Sequence, residues 1–154
     1  MKKFYWLIVT AVVLVACSSE DYYGVQHVKL HSRTDSLNYM AGYYTGLRAK
    51  RDFFLTDNSA ATVTNFVNAL ETAYNNKEAD VDGFPLEEHV RENAKLIGRT
   101  IREQEKESGL MGIEGLETDF DMLKAGLING LFFDTIIVHP DSVAISINRI
   151  ISER

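Results

Sequence analysis

Cys17 is the only thiol in a chain of 154 residues, and it follows Leu14, Val15 and Ala16. A single cysteine excludes an intrachain disulfide. Acylation of this one would leave no thiol for catalysis or for a metal. The other reactive groups are four histidines, His27, His31, His89 and His139, and a scatter of acids. His27 and His31 share a face only if their segment is helical. His89 and Glu92 stand three apart and could touch one metal ion, but a tight site needs a third or fourth ligand and none is spaced to join them. The two read as exposed polar residues. No Ser, His and Asp set carries a nucleophile elbow. Gly109, Gly112 and Gly115 recur at three-residue steps without the Lys-Ser/Thr ending of a phosphate loop, and read as connector. Glu87, Glu88, Glu114, Glu117, Asp119 and Asp121 read as cap and loop acids, with no two paired for glycosidic or general acid–base work. No catalytic residue, metal or cofactor is expected.

Lys2 and Lys3 precede an apolar run from Phe4 to Ala16. Basic residues, a short apolar run and a small residue make a secretory signal. Thirteen residues are too few for the roughly 20 that cross a bilayer as a helix. The order Leu14-Val15-Ala16-Cys17 resembles the bacterial lipobox, in which the cysteine is acylated and becomes the new N-terminus. That resemblance implies a signal peptide over 1–16, a lipidated Cys17, and a chain exported to a bacterial cell envelope. It would be held on a membrane, the outer membrane on its periplasmic or surface side. Stable anchoring needs more than one acyl chain, and bacterial lipoproteins usually carry three. Residues 17–33 then form a tether. Its first acids, Glu20 and Asp21 after Ser18-Ser19, resemble a surface-display signal found in one group of lipoproteins; they read equally as a solvated linker.

Cleavage before Cys17 removes 16 residues and leaves 138, enough for one domain with a core and short for two. Apolar content of 45% argues for a folded chain. Loss of Lys2 and Lys3 takes the net charge from −6 to −8. A chain this acidic repels phosphate backbones, which excludes nucleic acid as a partner. Anionic headgroups should not attract it either, which leaves anchoring to the acyl chains. Within the tether, Tyr22, Tyr23, Val25, Val28 and Leu30 are candidates to dock on the folded body.

From Thr34 the apolar period is helical. Thr34 or Asp35 can cap a first helix, whose inner face is Leu37, Met40, Ala41, Tyr44 and Leu47, with Arg48, Lys50 and Arg51 at its C-terminal end. After the turn signal Asp57-Asn58-Ser59, a second stripe runs through Val63, Phe66, Val67, Leu70 and Tyr74. A loop spans Asp80 to Gly83. Pro85 suits the first position of a third helix, with Glu87 and Glu88 in its first turn. Leu86, Val90, Ala94, Ile97 and Ile101 carry its inner face to about Glu107, while Arg99, Arg102, Glu103, Glu105 and Lys106 make a solvated face. Ser108 to Glu117 is a loop. Thr118 or Asp119 caps a fourth helix with Phe120, Leu123, Leu127 and Leu131 inward. Phe132 to Val138 has strand-like composition but no partner run, and reads as buried extended linker. Asp141 can cap a last helix with Val143, Ala144, Ile147 and Ile150 or Ile151 inward.

Two stretches repeat an order of features. Leu37 to Gly42 and then Phe66 to Leu70 match Asn93 to Gly98 and then Leu123 to Leu127. A duplicated helical hairpin accounts for this. Glycine inside a helix costs roughly 1 kcal/mol against alanine, yet Gly42, Gly46, Gly98, Gly126 and Gly130 all fall in helical stretches. Gly42 and Gly46, like Gly126 and Gly130, are four apart and share a face. They are expected where helices cross at close range, either between the paired helices of each half or between subunits.

The same order resembles the N-terminal helical domain of the lipoprotein FKBP-type peptidyl-prolyl isomerases. Its first element reads roughly D-x-L-x-Y-x-x-G-x-x-x-G, and Asp35 to Gly46 match it. Its second reads F-x-x-G-L; Phe66 to Leu70 match with Ala69 in place of glycine, and Lys124 to Gly130 match its repeat. The resemblance runs from about Thr34 to the end. It implies a helical dimerisation domain with chaperone-like holding of unfolded clients. Catalysis in that family belongs to a separate half-barrel with strands and Gly-rich turns, and no stretch here matches it, so no catalytic position carries over.

The expectation is an all-α domain over 34–154, with about five helices as a duplicated hairpin plus a C-terminal helix. Its expected role is a lipid-anchored, homodimeric, non-catalytic holding module. The alternatives are a component of a prolyl isomerase acting with a catalytic partner, and a structural or adhesive surface lipoprotein.

Overall fold

The computed structural model describes residues 21–54, 57–132 and 140–152. The expected signal peptide, Cys17, the start of the expected tether and residues 133–138 of the expected linker lie outside the described residues, as does His139; Phe132, expected to open that linker, is instead the last residue of a helix. Among the described residues there are five α-helices, two short 3-10 turns and no strand. The fold is all-α, and none of these helices is long and apolar enough to cross a membrane.

Helix α1 spans Arg33–Phe53. Its cap is Ser32, earlier than Thr34 or Asp35, because Ser32 Oγ accepts the Asp35 N–H at 2.9 Å while Asp35 accepts the His31 N–H at 2.9 Å. Asp35 thus serves three residues into the helix as the returning half of a capping box. Helix α2, Ala60–Tyr74, is capped by Ser59, whose Oγ accepts from Thr62 N–H. Val63, Phe66, Val67 and Leu70 are fully buried on its inner face. A 3-10 turn, Glu78–Gly83, replaces the expected loop and inserts Val81 into the core.

Helix α3 spans Glu88–Glu107, and Pro85 lies outside it. Phe84 and Leu86 are both half-buried against the core, and the residue before a proline is biased away from helix, so the chain stays extended there. Arg102 does not join the solvated face. It donates to Ala73 O at 2.5 Å and to Glu78 at 2.9 Å, tying α3 to the C-terminal end of α2 and to the 3-10 turn. The glycine-rich loop carries a second 3-10 turn, Leu110–Gly112, and closes on itself: Leu110 N–H donates to Leu116 O, and both leucines are buried. Helix α4, Phe120–Phe132, starts where Asp119 accepts from Met122 N–H. Helix α5, Pro140–Ser152, already includes Pro140, whose fixed φ suits a first turn, so Asp141 lies inside the helix. Arg33 donates to Ile150 O and Ile151 O, a cation at the carbonyl end of α5.

The helices pair α1 with α4 and α2 with α3, while α2 touches α4 and α5 lies on α1. The close pairs therefore join one half of the repeat to the other, rather than forming a hairpin within each half. The glycines explain why. A Cβ on Gly42 would strike the Leu123 carbonyl, and one on Gly46 the Leu127 carbonyl and Leu131 N. In return, Gly126 lies on Tyr39 and Tyr43, and Gly130 on Tyr43 and Leu47. The numbers rise together along the seam, so α1 and α4 run in the same direction.

Gly98 on α3 meets Leu70 O, Tyr74 N and the Ala73 Cβ of α2. Gly46 meets Leu127 O, Gly130 Cα and Leu131 N of α4, the same three places one helix pair over. Gly98 is thus the structural counterpart of Gly46, one helical turn from the Gly42 match suggested by the sequence repeat. In the corrected register Ala94 matches Gly42, while Ala69 and Ala73 match Gly126 and Gly130. The second seam is the first one with three of its four glycines replaced by alanines, and all three alanines are fully buried.

Candidate functional site

Pairing α1 with α4 and α3 with α2 leaves α1 and α3 apart. Between them lies a cleft of about 500 Å³. One wall comes from α1, with Ala41, Tyr44, Thr45, Arg48, Ala49 and Asp52. The other comes from α3, with Asn93, Leu96, Ile97, Thr100, Ile101 and Gln104. Each residue of the first set is 52 positions before its counterpart in the second, the spacing that separates Gly46 from Gly98. The cleft is therefore walled by equivalent faces of the two halves, and would lie on the axis relating them. Phe53 of α1, which has no counterpart in the other wall, and Leu110, Met111 and Leu123 complete the lining.

The lining is mainly apolar. Leu96 is 49% exposed and Met111 39%, high values for residues of this kind. Methionine and leucine adapt to varied apolar shapes. The charged lining residues, Arg48 and Asp52, are paired. Arg48 lies over the Tyr44 ring at 5.9 Å and reaches Asp52 at 3.9 Å. A hydrogen bond from Arg51 holds the Asp52 carboxyl below the usual carboxylate value, which makes it a poor proton donor. This lining holds no histidine, serine or thiol to act as base or nucleophile. It can desolvate apolar side chains and exchange a few hydrogen bonds at its rim.

Of the residues singled out from sequence, Cys17 is outside the described residues. Gly42, Gly46, Gly126 and Gly130 sit together at the α1/α4 seam, and Gly98 sits at the α2/α3 seam. The chain's own backbone fills these places, so none of them offers bare backbone to a second copy. His27 and His31 lie in a non-helical segment and share no helix face. His89 neighbours Glu87 at 3.4 Å while Glu92 pairs with Lys95 at 3.0 Å, so the suggested His89–Glu92 couple does not form. Among the described residues no three His, Cys, Asp or Glu side chains gather as a metal site.

A second polar feature had no sequence signal. Asn129 of α4, buried, accepts the Gln26 N–H at 2.6 Å and donates to Gln26 O at 2.9 Å. It also donates to Tyr39 Oη at 2.9 Å. On α2, Thr64 accepts the Tyr23 N–H at 2.8 Å and Asn68 accepts the Tyr23 hydroxyl at 2.9 Å. The tether thus crosses the α2/α4 seam, on the side of the bundle opposite the cleft. Of the five candidates to dock part of this segment, Tyr23 and Val28 are half-buried there, while Tyr22, Val25 and Leu30 stay exposed.

No protein-family profile, no curated protein and no solved structure matches this chain.

Proposed function

We propose that this chain is a lipid-anchored holding module of a bacterial cell envelope that binds apolar stretches of unfolded polypeptide in the α1/α3 cleft. The observation that carries the reading is the cleft itself, open, mainly apolar, and edged by the exposed Leu96 and Met111. Extended apolar segments bind by burying surface, and a lining without convergent polar groups favours many clients over one. The likeness of Asp35 to Gly46 and Lys124 to Gly130 to the helical domain of lipoprotein FKBP-type isomerases supports the same role. The lipobox-like order ending in Cys17 supports attachment to a membrane. On this reading a separate catalytic protein, not this domain, would turn over X-Pro bonds.

Aggregation of a chemically unfolded model protein tests the holding role. The wild-type chain should suppress light scattering near equimolar ratio, and Leu96→Asp with Met111→Asp should lose most of that effect while melting at the wild-type temperature. Equal suppression by the double variant rules out the cleft as the holding site. Mass spectrometry of the membrane fraction tests the anchor: three acyl chains on Cys17 are expected, and none on a Cys17→Ala chain.

A further inference from the structure

We propose that the outward side of the docked tether, from Tyr22 to His31, is a contact surface for anionic lipid headgroups, which turns the α1/α3 cleft away from the bilayer.

The first argument is charge. The whole chain is acidic, yet no Asp or Glu occurs between Asp21 and Asp35. That stretch carries Lys29, Arg33, His27 and His31. Arg33 is engaged on the α5 carbonyls, whereas Lys29 is exposed and makes no ion pair among the described residues. A local cationic strip on an acidic body complements a surface of anionic headgroups, which attracts single lysines at short range. Net charge alone misses this, because it averages over the body.

The second argument is how the strip divides its side chains. The Tyr23 ring and the Gln26 backbone face the bundle, held by Asn68, Thr64 and Asn129. Tyr22 at 49%, Val25 at 60% and Leu30 at 43% are left at the surface, three of the six exposed large apolar side chains among the described residues. A tyrosine, two aliphatic residues and a lysine on one short segment are the types that settle at a membrane–water interface.

The third argument is reach, and it rests on the lipid anchor proposed above. Tyr22 lies five residue steps from Cys17, at most about 18 Å of fully extended chain. From Tyr23 onward the chain is fixed to α2 and α4. The strip therefore lies beside any membrane that holds residue 17, and the cleft, across the bundle, faces the other way.

The test uses the mature chain, residues 17–154 with Cys17→Ser, which contains every described helix and needs no acylation. Co-sedimentation is measured with vesicles of phosphatidylcholine alone and with phosphatidylglycerol added. Partition that rises with phosphatidylglycerol and falls with added salt is expected. Lys29→Glu should weaken it by about fivefold or more, and Val25→Asp with Leu30→Asp should abolish it, with unchanged circular dichroism. Absence of lipid-dependent partition, or partition untouched by these changes, overturns the proposal and assigns the strip to another surface such as an acidic protein. A fluorophore at His27→Cys should be quenched by a headgroup-linked nitroxide, and one at Met111→Cys should not. Equal or reversed quenching overturns the orientation. Because neither measurement involves acylation or a client, a failed anchor or a failed holding role is distinguishable from a failed strip.

Discussion

Gly46 and Gly130 each occupy the space that a side chain on the other would need. A Cβ on Gly46 would come within 3.0 Å of the Gly130 Cα, and a Cβ on Gly130 within 3.0 Å of the Gly46 Cα. This mutual exclusion sets the distance between α1 and α4, and through it the opening of the cleft between α1 and α3.

Gly46→Ala and Gly130→Ala should each destabilise the chain by about 1–3 kcal/mol, because the atoms struck are backbone and cannot swing aside. Gly24→Ala, where a Cβ meets nothing within 4 Å, is the control and should change little. Urea melts of the three variants decide this; a melt unchanged at Gly46 contradicts the seam.

The tether's attachment is open to a similar test. Asn129→Ala leaves the Gln26 N–H and C=O without their partners and strands the Tyr39 hydroxyl. A loss of about 1–3 kcal/mol is expected from a buried polar group left unpaired. Hydrogen exchange at Tyr23 and Gln26 should rise by an order of magnitude or more, while amides in the middle of α2 stay protected. Exchange at Gln26 as slow as in the wild type would show that other contacts hold the segment.

Tyr74 provides a pH signature. Burial, and then the Glu105 carboxylate that accepts its hydroxyl at 2.8 Å, push its phenol from 10.0 up to about 12. The folded chain favours the neutral phenol, so this contribution to stability is complete below pH 10 and is lost as pH rises through about 12. Alkaline ultraviolet titration of Tyr74→Phe should show one late-ionising tyrosine fewer, and its stability should decline less steeply above pH 10. Burial also raises Tyr43, so a late step remains, and a curve with the same number of late-ionising tyrosines as the wild type contradicts the assignment.

Capping at Ser32 is the fourth prediction. Ser32→Ala should cost about 1 kcal/mol, the usual loss of a serine cap. Ser32 and the His31 N–H hold the Asp35 carboxyl below 3.8, so the stability that Asp35 contributes is present above that value and fades as pH falls through its lowered one. Asp35→Asn should flatten the acid limb of a stability–pH curve, and an unaltered limb would dismiss this role.

The helices were readable because their apolar residues recur at helical steps and because turn or cap residues such as Asp57-Asn58-Ser59 and Asp119 precede them; the first cap, Ser32, lay two residues before the expected Thr34. The close crossings were readable because glycine in a helix must be offset by contact. Which helices cross was not, since spacing identifies a face and not its partner. The register of the repeat slipped by one turn for a related reason: a four-residue shift keeps small and apolar residues on the same face, and only the backbone atoms opposite Gly46 and Gly98 separate the two alignments. The cleft left no signal because it forms between helices that do not pair. Asn129 and Asn38 had none either. Buried Asn38 accepts the Asp119 N–H and donates to Glu117 O, 79 residues away in sequence, and nothing local in an asparagine announces such a reach.

The grip of Asn129 on Gln26 has one more consequence. It reads peptide atoms, which every residue except proline presents alike. Attachment is therefore written into the helix and outward chemistry into the docked segment, and the two can diverge separately. A descendant of this chain can exchange Tyr22, Val25, Lys29 and Leu30 to suit a different boundary and keep the same bundle beneath.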